Sequence, residues 1–111
     1  MNLTQAIHSR INGFLSLCQV HDVKTLYAFG SSVTEQFDEE TSDIDLLVEI
    51  NENDPIERGE KLMSLWDELE AFFHRKVDLL TNSSIKNPIL RKNIDATKIL
   101  IYDGSGQKVL V

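Results

Sequence analysis

The stretch SDIDLLVEI, residues 42–50, begins with two aspartates one residue apart and continues as an apolar strand. No other feature restricts the fold as much. Side chains on a strand alternate between faces, so Ile44, Leu46, Val48 and Ile50 share one face. Asp43, Asp45, Leu47 and Glu49 take the other. Residues two apart on a strand lie roughly 6.6 Å apart at the α-carbon, from a rise of about 3.3 Å each, which lets both carboxylates reach a common centre. The later segment KVDLL, Lys76 to Leu80, reads as another strand, with Val77 and Leu79 on one face and Asp78 on the other. If helices cover the apolar face, then Asp43, Asp45 and Asp78 all project from the uncovered one. Three converging carboxylates repel strongly unless a cation sits between them. Oxygen-only ligands select a hard ion, Mg2+ or Mn2+. An EF-hand is excluded, because Leu47 stands where that loop requires an oxygen ligand.

The remaining elements follow from periodicity. Leu3, Ile7, Ile11, Phe14, Leu15 and Cys18 form a helical stripe, predicting an N-terminal helix over about 3–20. TLYAFG, Thr25 to Gly30, is a short aromatic-bearing strand closed by glycine. Asp54 followed by Pro55 and Glu57 marks a helix start. The helix after it carries Leu62, Leu65, Trp66, Leu69, Phe72 and Phe73 on one face. Ile85, Ile89, Leu90 and Ile94 predict a short helix with Pro88 early in it, and KILIY, Lys98 to Tyr102, a further strand. DGSGQ reads as the start of a loose tail. The order predicts an α+β fold: a mixed sheet of about four strands with helices packed on one face. A single domain over 1–111 is expected, with its core at about 25–104.

Composition removes several classes of function. A net charge of -7 opposes indiscriminate nucleic-acid binding, which relies on Lys and Arg. It leaves room for a nucleotide whose charge is carried by a metal ion. Cys18 is the one cysteine, so no internal disulfide can form, and a reducing cytoplasm is the expected location. It reads as a core residue on the helical stripe. His8, His21 and His74 show no zinc-ligand spacing and read as surface or edge residues. The start MNLTQAIHSR lacks a signal-peptide layout, and no apolar run approaches the roughly 20 residues that span a bilayer.

Gly30 and Ser31 directly follow the first strand. A glycine there lets the backbone approach a ligand closely, and a helix starting at Ser31 would aim N–H groups at a phosphate. A phosphate cradle beside a carboxylate metal site describes a nucleoside triphosphate site. FGSSVTEQFDEETSDIDLLVEI resembles the signature of the minimal nucleotidyltransferases, small relatives of the DNA polymerase beta superfamily. That pattern is Gly-Ser, a short helix, Ser-Asp-x-Asp-Leu entering a strand, and a third acid in a later strand. The matching residues are Gly30, Ser31, Ser42, Asp43, Asp45, Leu46 and Asp78. The chain departs from the pattern in reading Val33, Thr34 and Glu35 where many members carry a small residue and a basic-Gly pair, and in a longer loop up to Ser42.

The resemblance implies two Mg2+ ions, replaceable by Mn2+, held by Asp43 and Asp45 with Asp78 completing one site. It implies a nucleoside triphosphate such as ATP, with Gly30, Ser31 and Ser42 on the phosphate side and Asp78 beside the attacking hydroxyl. It further implies AMP transfer to a hydroxyl of a protein, and a HEPN-domain toxin as the partner that such an antitoxin modifies, in a homo- or hetero-oligomer. A different class stays open at this stage: a module that neutralises its partner by contact alone.

Overall fold

The computed structural model describes residues 3–33 and 43–111. Two helices come first, α1 (Leu3–Ser9) and α2 (Ile11–Val20), followed by strand β1 (Val23–Phe29) and a 3-10 turn, Gly30–Val33. Strand β2 (Ile44–Ile50), helix α3 (Pro55–Phe73) and strand β3 (Val77–Leu80) follow, then a second 3-10 turn, Asn82–Ser84. Helix α4 (Pro88–Thr97) and strands β4 (Ile99–Asp103) and β5 (Lys108–Val109) complete the chain. The sheet order is β3-β2-β1-β4-β5. β2 and β3 are parallel, and the other pairs are antiparallel. α3 supplies the crossover that a parallel pair requires.

The α+β architecture and mixed sheet agree with expectation, and several details do not. The N-terminal helix is two helices, broken at Arg10 (φ -140°). Arg10 lies 4.4 Å from the centre of the Phe72 ring and donates to the Phe72 carbonyl at the end of α3. A cation there complements a helix C-terminus that has no basic residue in its last turn. The tail is not loose. The Asp103 carboxylate accepts from the Ser105 N–H and hydroxyl, and the chain turns back to pair Val109 with Tyr102. Gly104 is required at this turn, because a Cβ would lie 2.2 Å from the Val23 carbonyl.

The third correction concerns layers. α1, α2 and α3 cover one sheet face, where Ile44, Leu46, Val48 and Ile50 join Val77, Leu79, Leu65, Leu69 and Phe14 in the main core. The other face is not uncovered. α4 crosses it and buries Ile94 against Phe29 and Leu47, so Leu47 is 2% exposed. Ile89 and Leu90, predicted on the apolar face of α4, are exposed instead.

The capping prediction for α3 holds: the Asp54 side chain accepts from the Ile56 N–H at 2.9 Å, with Pro55 in the first turn. Cys18 is fully buried, and burial pushes its thiol up to about 12, which keeps it protonated and inert. His21, expected at the surface or an edge, is buried. Its Nδ1 lies 2.7 Å from the Leu17 carbonyl and its Nε2 2.9 Å from the Ser64 hydroxyl. It thereby joins the end of α2 to α3.

Candidate active site

Parallel pairing of β2 with β3 sets Asp45 directly opposite Asp78, and antiparallel pairing with β1 sets it opposite Phe29. Alternation then points both carboxylates to the α4 side of the sheet. Asp45 and Asp78 approach within hydrogen-bonding reach. The Asp45 carboxyl titrates at about 6, raised first by burial, then by the charges of Asp78 and Asp43, and by its hydrogen bond with Asp78. Asp43 sits on the rim immediately before β2, and Lys76 Nζ is 3.8 Å from its Oδ2. Both side chains of that ion pair are substantially exposed, so it contributes little.

Gly30 leaves β1 with φ +65°, in the left-handed region that favours glycine. A Cβ at this position would lie 2.8 Å from Asp45 Oδ2. The glycine is therefore what lets the turn approach the acid. The Gly30 N–H donates to Thr97 Oγ1 of α4 at 3.2 Å. Ser31 is half-buried in the turn, and Ser32 is buried, its hydroxyl accepting from the Asp45 N–H at 2.8 Å.

Gly30, Ser31, Asp43, Asp45 and Asp78 thus belong to one locality. Ser42, Thr34 and Glu35 lie outside the described residues. Sequence reasoning missed Ser32 and Thr97. The Ser31-Ser32 doublet was a visible signal for the first; nothing local distinguishes Thr97.

Among the described residues, no three of His, Cys, Asp and Glu are already drawn together as a set that could hold a metal ion. The donor set nevertheless fits a hard divalent ion. The charges of Asp78 and Asp43 help to raise the Asp45 carboxyl, and a cation held among these acids would relieve that repulsion. Asp43, Asp45 and Asp78 are the residues that could hold it, with Asp43 turning inward from the rim.

The family model described as polymerase beta, nucleotidyltransferase, matches residues 14–107. The chain belongs to this nucleotidyltransferase family. Its relatives include two inferred protein adenylyltransferases of Methanocaldococcus jannaschii. MJ1217 is 40% identical over 85 residues, covering 77% of this chain and 83% of that protein. MJ1379 is 40% identical over 81 residues, covering 73% and 79%. Among solved structures, a chain described as a minimal nucleotidyltransferase by inference superposes with TM-score 0.60 at 27% identity, covering 89% of this chain and 95% of that one. A chain of a toxin–antitoxin crystal structure with AMP-PNP superposes with TM-score 0.59 at 21% identity, covering 85% and 73%. At that identity the likeness is one of fold. Family membership makes the chain a nucleotidyltransferase, consistent with an acidic pair beside a glycine turn. No helix among the described residues is long and apolar enough to cross a membrane.

Proposed function

We propose that this nucleotidyltransferase moves AMP from ATP to a hydroxyl of a protein partner, and that the partner is a HEPN-domain toxin for which the chain is the antitoxin. The observation that carries the reading is the Asp45–Asp78 pair facing the Gly30 turn across 2.8 Å of prospective Cβ contact. The naming of the archaeal relatives as inferred protein adenylyltransferases supports a protein acceptor. The toxin–antitoxin origin of a fold neighbour suggests the biological setting.

Two Mg2+ ions bound by Asp43, Asp45 and Asp78, with Mn2+ as a substitute, would neutralise the triphosphate and align it for in-line displacement. The chain's own residues do the rest. The Gly30–Ser32 turn gives the phosphates a close backbone approach, with Ser31 on the side of the departing pyrophosphate. Asp78, across from Asp45 on the edge strand, accepts the proton of the attacking hydroxyl. The acceptor oxygen forms its bond to the α-phosphorus as the bond to pyrophosphate breaks.

The test is to incubate the protein with the product of its neighbouring gene, ATP and Mg2+, and to weigh the partner by intact mass spectrometry. One or more added AMP units, lost with Asp78→Asn, are expected. Neutralisation with no mass change, equally good for Asp78→Asn, would replace the transferase with a protein that acts by contact.

A further inference from the structure

The chain leaves the sheet at Phe29, the residue of β1 opposite Asp45. Ser32 supplies an acceptor there. Three residues further on and 6% exposed, it turns its hydroxyl back to accept the Asp45 N–H at 2.8 Å. A side-chain oxygen therefore stands in for a ladder carbonyl at the rung that carries the acid. A buried N–H without such an acceptor would be costly.

On its other side the same turn is held by α4. The Thr97 hydroxyl donates to the Asn93 carbonyl at 2.9 Å, one helical turn back, which leaves its oxygen to accept the Gly30 N–H at 3.2 Å. The donor and acceptor roles of that hydroxyl are mutually consistent. Between these two bonds sits Gly30, where a Cβ would lie 2.8 Å from Asp45 Oδ2.

We propose that Ser32 and Thr97 are positioning residues, which clamp the Gly30 turn between β2 and α4 and so fix the Asp45 carboxylate for the metal-bound nucleotide. The proposal rests on the nucleotidyltransferase reading above. Neither hydroxyl needs to touch substrate. Ser32 acts through the Asp45 backbone, and Thr97 through Gly30.

The probe is AMP-PNP, titrated by calorimetry with and without Mg2+. The readout is the ratio of the two dissociation constants, which general loss of stability does not move. Partners that orient metal ligands typically change metal affinity by about 10–100-fold. Ser32→Ala is therefore expected to cut the Mg2+-dependent gain by about that factor, and Ser32→Thr, which keeps the hydroxyl, to restore most of it. Thr97→Val is nearly isosteric at an exposed position and should cut the gain by about tenfold, at the low end of the same range. If Ser32→Ala fails to fold, Thr97→Val alone decides. Amide hydrogen exchange by NMR supplies a readout without ligand: faster exchange at Asp45 in Ser32→Ala, and at Gly30 in Thr97→Val. An unchanged ratio in both variants, or unchanged exchange at both amides, overturns the clamp. Failure of the wild type to bind AMP-PNP overturns the functional reading instead, and the exchange rates then decide the clamp by themselves.

Discussion

Asp45→Asn should make the metal-free protein more stable at neutral pH. The Asp45 carboxyl has an ordinary value of 3.8 and titrates at about 6 in the fold, mainly through burial and then through the charges of Asp78 and Asp43. At about 1.4 kcal/mol per pH unit, that separation corresponds to roughly 3 kcal/mol. Asp45 is only partly buried, and solvent screening reduces the figure to about 1–2 kcal/mol. The sign follows from the direction. A raised value means that the fold prefers the protonated acid, so this contribution is fully present below about pH 4 and is lost as pH rises through about 6. Asparagine stays neutral throughout and can still donate a hydrogen bond to Asp78.

Urea unfolding in EDTA should therefore give curves that coincide near pH 4 and diverge by about 1–2 kcal/mol by pH 7.5, with the variant more stable. For a domain of this size each kcal/mol corresponds to about 4–8 °C in Tm. Mg2+ at neutral pH should reverse the order, because an ion that binds only the folded form stabilises wild type by mass action and has lost a ligand in the variant. Parallel stability curves for the two proteins from pH 4 to 7.5 would refute the coupled acidic pair.

Two glycines give opposite expectations. Gly30→Ala should destabilise by at least about 1–2 kcal/mol, the cost of a left-handed L-residue, with a further penalty from the Asp45 carboxylate. In an Asp45→Ala background only the backbone part should remain; equal costs in both backgrounds by urea unfolding would remove the close-approach argument. Gly59→Ala, inside α3 with nothing within 4 Å of the new Cβ, should stabilise by about 0.5–1 kcal/mol, and a lower melting temperature would contradict that reading.

What was legible in the sequence is what depends on local repeat alone. The two-residue period of a strand puts Asp43 and Asp45 on one face whatever packs around them, and the same parity argument reaches Asp78. The meeting of Asp45 with Asp78 needed one further condition, the parallel register of β2 and β3, which the α3 crossover supplies. The helical stripe of α3 was equally plain, because Leu65, Leu69 and Phe72 recur at the helix period within a 19-residue helix. Features set by distant partners were not legible. The break at Arg10 depends on Phe72, 62 residues away, and the role of Thr97 depends on Gly30, 67 residues away. Leu47 was the visible sign that the acidic face is not wholly open. An apolar residue at the parity of Asp45 needs cover, and α4 provides it with Ile94. That cover also brings Thr97 to the glycine turn. One leucine on the polar side of β2 thus connects packing to chemistry: it seats the helix whose last turn holds the backbone that faces Asp45.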